Sequence, residues 1–322
     1  MAKVVYTAKA NVTGGRANGH GVTDDGALDI QLRPPTEGGG TNPEQLFAIG
    51  YAACFEGAIG AVGRRERLEV GDVSIASSVS LVTAEDRSFT YVPSQSEWRL
   101  SDNAAYLHYT ANETIGGVEF GGIPDVSDVP VVSDMSSNLL SRPLDLSRLG
   151  LIYAGAQKNI GPAGLALVII REDLIGIGEP APPAMLDYAT HAKARSMYNT
   201  PPTFAVYIAG LVFQWLLENG GLAAAEERNI AKAKLLYDFI DSSDFYVNPV
   251  DKADRSRMNI PFRLADPALE ADFLAGAATN NMVELKGHRS VGGMRASLYN
   301  AMPIEGVQTL VDYMAEFAAT KG

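Results

Sequence analysis

Residues 148–170, "RLGLIYAGAQKNIGPAGLALVII", decide how the rest of the chain is read. An apolar run ends at Gly155-Ala156, the polar triplet Gln157-Lys158-Asn159 follows, Gly161-Pro162-Ala163-Gly164 turns the chain, and a second apolar run begins at once. Short apolar runs bounded by turn residues are strands. A lysine at their junction is either an ordinary solvated turn residue or a nucleophile at the mouth of a sheet, where strand ends gather ligands.

Composition narrows the class. With 322 residues the chain exceeds one ordinary domain, so two or three are expected. A hydrophobic share of 46% and a net charge of −12 describe a soluble globular protein whose field disfavours nucleic acid and anionic membranes as partners. Small acidic substrates stay open if cations are gathered locally. A single cysteine excludes an internal disulfide and fits a reducing compartment. The first residues, "MAKVVYTAKANVTGG", alternate like a strand without an apolar signal region, and no run is long enough for a bilayer. The expectation is a cytoplasmic protein, and no metal is expected.

The texture changes near residues 85–95. Before it, "KVVYTAKANV" and "HGVTDDGALDIQL" read as strands with Asp24-Asp25-Gly26 as a hairpin signal. Thr41 or Asn42 caps an apolar helix, "QLFAIGYAACFEGAIGAV", with Pro43 at its first position. "VSIASSVSLVT" reads as a further short strand pair, and the polar "AEDRSFTYVPSQSEW" is the boundary candidate. Beyond it "AAYLHYT", "DVPVVSD", "GLIYAGA" and "LALVIIRE" read as strands buried on both faces of an α/β sheet. Two helices follow Pro201-Pro202, "TFAVYIAGLVFQWLLENGG" and "LAAAEERNIAKAKLLYDFIDSSD". The last part reads strand "RMNIPFRL", helix "PALEADFLAGAATNN", strands "MVELKG" and "GMRASLYNA", and helix "IEGVQTLVDYMAEFAAT", a small α+β domain.

A lysine that carries pyridoxal phosphate needs a carboxylate at the cofactor's ring nitrogen, because a protonated ring is the better electron sink. Asp134 closes "VPVVSD" and Lys158 follows "LIYAGA", so both stand at strand ends and could face one ligand. On spacing alone the two remain either a cofactor pair or unrelated surface residues.

Longer motifs add to this. "ANETIGGVEF", "SDMSSNLLSRPLD", "YAGAQKNIGPAGLALVIIRED", "SMYNTPPTFAVYIAGLVFQWL", "RSRMNIPF" and "LKGHRSVGGMRASLYNAMP" resemble the phosphoserine aminotransferases, fold-type I pyridoxal-phosphate enzymes, over roughly residues 88–322. The resemblance implies that Lys158 holds the cofactor, Asp134 pairs with its ring nitrogen, Thr114 and Gln157 contact it, and Asn199 and Thr200 reach the phosphate of the cofactor held by the other subunit of a homodimer. It implies transfer of an amino group between L-glutamate and 3-phosphohydroxypyruvate, as in serine biosynthesis. His288, Arg289 and Arg295 crowd one glycine-rich segment and are the expected cations for the phosphorylated substrate.

The family's amino-terminal part, with its phosphate loop, has no counterpart here. Gly38-Gly39-Gly40-Thr41 precedes a helix but reads as a turn. In place of that part, "YTAKANVTGGRANG", "DGALDIQL" and "GGGTNPEQLFAIGYAACFEGAI" resemble the amino-terminal half of the OsmC/Ohr organic hydroperoxide resistance proteins. This resemblance implies Cys54 as a peroxidatic cysteine, Arg16 as its activating cation and Glu44 as the carboxylate holding that arginine. A guanidinium beside a thiol favours the reactive thiolate, yet no second cysteine is present to resolve a cycle. The expected organisation is an OsmC/Ohr-like fragment at 1–87, a partial α/β cofactor-binding domain at 88–243 and a small α+β domain at 244–322. Its functions are aminotransferase, thiol peroxidase or an inactive fusion.

Overall fold

The computed structural model of the chain describes residues 10–14, 18–33, 39–42, 45–46, 90–98, 100, 104–126, 129–177, 184–289 and 291–322. Contacts group the chain into two units, residues 1–82 with 176–190, and residues 83–175 with 191–322.

In the first unit, β1 (Ala10–Thr13), β2 (His20–Thr23) and β3 (Asp29–Gln31) form an antiparallel meander in that order. The expected hairpin turn lies between β2 and β3. Gly26 takes φ +68°, which a residue without Cβ adopts freely, and Asp25 accepts from Thr23 Oγ1 at 2.6 Å. Gly39 and Gly40 belong to a return of the chain that bridges Thr41 to Leu32, the turn read from the glycine run. Asn42 Oδ1 accepts from the Gln45 N–H at 2.9 Å, the bond of a helix cap. Most of the apolar helix expected after it, the strand pair at 73–83, and Arg16, Glu44 and Cys54 lie outside the described residues.

The second unit holds the sheet foreseen from the opening stretch. β4 (Leu107–Thr110), β7 (Val131–Asp134), β8 (Leu151–Gly155) and β9 (Ala166–Ile170) are ordered β4-β7-β8-β9, while β5 (Asn112–Glu113) and β6 (Val118–Glu119) form a separate hairpin. β4, β7 and β8 are parallel and β9 is antiparallel to β8. Tyr109, Val131, Ile152 and Ala154 point to one side and are buried with Met135, Leu139 and Ile160. Burial on both faces was expected, and the structure corrects it. The face bearing His108, Val132, Asp134 and Tyr153 is at most half-buried, and β9, which among the described residues pairs along β8 alone, leaves Val168 and Ile169 exposed.

Helices α1 (Tyr188–Lys193), α2 (Thr203–Glu218) and α3 (Gly221–Asp241) follow. α2 buries the small residues Ala205 and Ala209, and Gly161 of the lysine turn packs against Ala209. The antiparallel sheet β10 (Tyr246–Val247), β11 (Asn259–Leu264) and β12 (Met294–Ser297) is covered by α4 (Glu270–Thr279) and α5 (Ile304–Lys321). Leu236 and Ile240 of α3 enter the same core as Phe262, Phe273, Met294 and Met314. The predicted strand "MVELKG" is absent. Asn281 and Glu284 take φ +60° and +59°, left-handed values that interrupt an extended run, leaving one isolated bridge between Lys286 and Met294. Part of the polar segment read as a boundary is docked: the Val92 N–H donates to Asp254 Oδ2 and the Asp251 N–H to the Thr90 carbonyl, both at 2.9 Å.

Two ionic features fasten this unit. Glu119, 4% exposed, meets Arg257 at 3.2 Å, and Arg257 also meets Glu226 at 2.9 Å. Glu119→Ala removes the buried partner and leaves the partly buried Arg257 with Glu226 alone, and should lower the unfolding free energy by about 2 kcal/mol in urea titration. A loss below about 1 kcal/mol would place the pair with exposed ones. Asp241 takes bonds from Arg255 and Lys252, both at 2.8 Å, and the Arg255 bond first of all lowers its carboxyl from 3.8 to about 2. A lowered folded pKa contributes stability above pH 3.8 that is lost as pH falls toward 2. Asp241→Asn should therefore flatten the acid limb of a stability profile, by about 1 kcal/mol after solvent screening. An acid limb unchanged by the substitution would contradict this.

Candidate active site

Asp134 ends β7, flanked in register by Thr110 of β4 and Tyr153 of β8. Its Oδ1 accepts from the Ser136 N–H at 2.9 Å, and Ser136 Oγ accepts from the Gly155 N–H at 3.0 Å. The ends of β7 and β8 are thus tied together just before the lysine turn. A Cβ on Gly155 would lie 2.5 Å from Gln157 Oε1, so the glycine leaves room for the Gln157 side chain folded over it. The turn closes through Gly161 N–H to the Ala156 carbonyl at 2.7 Å and Ala156 N–H to the Leu165 carbonyl at 2.9 Å.

Lys158 is half-buried, and burial is the main cause that holds its amine below the ordinary lysine range. Asp134 and Glu113 oppose the shift, while the positive charge of Arg295 adds to it. Lys158, Asp134, Glu113 and Arg295 therefore share one electrostatic neighbourhood. Arg295 Nη1 donates to the Thr114 carbonyl at 2.9 Å, which puts Thr114 in the same place. Its Nε is buried and has no hydrogen-bond partner among the described residues, an unmet donor of the kind that an anion satisfies. Glu113 accepts from the backbone of Ile115 at 2.8 Å and from that of Gly116, and so shapes the turn that carries Thr114.

Besides Glu113, two further neighbours were not foreseen. His108 Nε2 and Tyr153 Oη are 3.0 Å apart and their rings stack at 5.9 Å, on the face that carries Asp134. Burial holds the His108 imidazole below its usual range, against the pull of Asp134. Alternation along "LHYT" and "LIYAG" puts both residues on the face of Asp134 once the parallel pairing is known, Tyr153 in register with it and His108 opposite Val132, but nothing in the sequence states that pairing. His288 and Arg289 lie on the loop between α4 and β12, with Arg289 exposed. That loop is closed by a bond from Gly287 N–H to the Gly293 carbonyl at 2.8 Å. Asn199 and Thr200 are exposed ahead of α2.

Comparison with known proteins gives this arrangement a family. The model of the class-V aminotransferases matches residues 77–310. A phosphoserine aminotransferase of Herminiimonas arsenicoxydans is 58% identical over 257 residues, covering 80% of this chain and 69% of that protein. The structure of the phosphoserine aminotransferase from Bacillus circulans subsp. alkalophilus is 49% identical, with a TM-score of 0.72, covering 74% of this chain and 66% of the other. That of the PLP-bound enzyme from Trichomonas vaginalis is 46% identical, with a TM-score of 0.67, over 70% and 64%. The chain belongs to the class-V aminotransferase family, with a fold-type I sheet. Within that family the relatives just named are phosphoserine aminotransferases, and this chain spans about two thirds of their length. An organic hydroperoxide resistance protein of Legionella pneumophila is 50% identical over 26% of this chain, but its TM-score of 0.24 is too low to bear on the fold.

The residues present fit the pyridoxal phosphate that the family implies. A strand-end carboxylate, an amine of lowered pKa and an unsatisfied guanidinium nitrogen stand together. The charges make opposite predictions for Lys158. Asp134→Asn should lower its pKa further, and Arg295→Gln should raise it, as read by carbon-13 NMR of reductively methylated lysines in the cofactor-free chain. Shifts of the same sign in both variants would contradict the arrangement.

Proposed function

We propose that this chain acts as a phosphoserine aminotransferase, exchanging an amino group between L-glutamate and 3-phosphohydroxypyruvate in serine biosynthesis. The observation that carries the reading is the half-buried Lys158 amine in the turn after β8, within the field of Asp134 at the end of β7 and of Arg295 on β12. Bound pyridoxal phosphate supplies an electron sink for negative charge left on the amino-acid carbon. Lys158 would hold the cofactor, and its amine would serve as the base that moves the proton at the substrate carbon. A lowered pKa suits this task, because only the unprotonated amine accepts a proton. Asp134 holds the proton on the ring nitrogen, and Thr114 and Gln157 orient the ring. The substrate carboxylate sits on the reacting carbon, so it falls to Arg295, the cation within the field of Lys158. The phosphate falls to His288 and Arg289.

We further infer a cytoplasmic homodimer in which Asn199 and Thr200 reach the partner's cofactor phosphate. Their exposure supports this, as does the apolar surface that α2 presents beside them, with Phe204 73% and Tyr207 62% exposed. No helix among the described residues is long and apolar enough to cross a membrane. A peroxidase centred on Cys54, with Arg16 and Glu44, would need an outside thiol to complete its cycle, since the sequence holds one cysteine, and all three residues lie outside the described ones.

Complementation tests both points. Lys158→Ala and an Asn199→Ala/Thr200→Ala chain should each lose at least about a hundredfold in transamination rate. Mixed and re-equilibrated, they should recover about a quarter of the native rate, because half the dimers then contain one intact shared site. No recovery, with both variants folded, would contradict the shared site. Full activity of Lys158→Ala would contradict the aminotransferase reading itself.

A further inference from the structure

Three consecutive backbone carbonyls in the loop after Asp134 each accept an amide N–H from a different asparagine. Asn159 Nδ2 donates to the Leu139 carbonyl at 3.0 Å, Asn300 Nδ2 to the Leu140 carbonyl at 2.8 Å, and Asn229 Nδ2 to the Ser141 carbonyl at 3.1 Å. The middle residue, Leu140, has φ +66°, a left-handed conformation that persists in a bulky residue only when its surroundings enforce it. The asparagines are also bonded to one another. The Asn300 N–H donates to Asn159 Oδ1 at 2.9 Å, and Asn229 Nδ2 donates to Asn300 Oδ1 at 2.8 Å. Lys232 of α3 fixes the chain just before Asn300, its Nζ donating to the carbonyls of Leu298 at 3.1 Å and Tyr299 at 2.8 Å.

The members of this cluster come from the segments that carry the candidate site. Asn159 follows Lys158 directly, Leu139 to Ser141 follow Asp134, and Asn300 follows β12, which bears Arg295. Asn159 and Asn229 are 5% and 1% exposed. Apolar side chains would fill such a space without needing partners, whereas buried amides demand satisfaction and in return fix one geometry. Asn300 is the member bonded to both other asparagines and to the left-handed residue.

We propose that Asn300 is a positioning residue for the transamination proposed above. Its side chain joins the Leu140 carbonyl to Asn229 of α3, and its main-chain N–H meets Asn159, so that the loop after Asp134 and the turn beside Lys158 stay at a fixed distance from the strand that carries Arg295. The idea rests on the reading of Lys158 as the reactive amine. The charges that face Lys158 are Asp134 from β7, Glu113 from β5 and Arg295 from β12. Loosening the cluster lets the amine reach water and separates it from Arg295, and both changes return it toward the ordinary lysine range.

The test uses the full chain without cofactor. Competitive labelling of amines across pH, resolved by peptide mapping, gives the titration midpoint of Lys158 beside those of the exposed Lys193 and Lys286. Asn300→Ala removes the bonds to Leu140 and Asn229 while keeping the main-chain bond to Asn159, and in it the Lys158 midpoint should rise toward that of the exposed lysines. Tyr237→Phe removes a buried bond of 2.9 Å to the Ser256 carbonyl, so it should lower Tm while leaving the Lys158 midpoint where it was. If Asn300→Ala does not fold, Asn300→Ser and Asn229→Ala remove parts of the same network and are read the same way. An unmoved Lys158 midpoint in a folded Asn300 variant, with only a loss of Tm, would overturn the positioning role. The two proposals separate cleanly. Native chain that never transaminates sinks the function and leaves the labelling result valid, while an unmoved midpoint in a variant of an active chain sinks the positioning role alone.

Discussion

The parallel register of β7 against β8 is the constraint on which the candidate site depends. It sets Asp134 opposite Tyr153, and Ser136 then joins the end of one strand to the end of the other through Gly155. The lysine turn leaves β8 from that tied end, so the carboxylate and the amine are brought together by backbone pairing before any side chain chooses a rotamer. Burial on the opposite face, through Val131, Ile152 and Ala154, keeps the register, since a slip by one residue would turn Asp134 into the core.

The second half of the site comes from far along the chain. Arg295 stands on β12 of a different sheet, yet it bonds to the carbonyl of Thr114 and lowers the pKa of Lys158. The asparagine cluster ties the loop after β7 to α3 and to the segment after β12, while α3 packs into the core around Phe262 and Met294 and Glu119 ties the β5-β6 hairpin to Arg257 just before β11. A cofactor site built this way inherits its stability from ordinary core contacts, and its electrostatics from a few groups left half-buried. Among the described residues the buried Arg295 Nε finds no hydrogen-bond partner, a donor that an anion would satisfy.

Much of this was legible in the sequence. The helices at 203–218, 221–241 and 304–321 follow from apolar spacing and from proline or glycine stops, and the strands ending at Asp134 and Gly155 follow from short apolar runs. "MVELKG" failed as a strand because left-handed values at Asn281 and Glu284 leave no mark in residue type. β9 reads as a fully buried strand but lies exposed, since composition does not say which strand pairs along only one side. His108, Glu113 and the three asparagines were missed for a similar reason. Each is an unremarked polar residue in its own segment, and its role depends on partners distant in the chain. Asn300 and Asn159 meet across a separation that no local pattern reports.

Function requires that Lys158, Asp134 and Arg295 make one working cofactor site in a chain spanning about two thirds of the length of its relatives. The most direct measurement is a visible absorbance titration of the purified chain with pyridoxal phosphate, followed by borohydride reduction and peptide mapping. A saturable band and a single reduced adduct on Lys158 are the predicted result, with glutamate bleaching the band before reduction. Absence of a band, or adducts scattered over exposed lysines with Lys158 unmodified, would contradict the account.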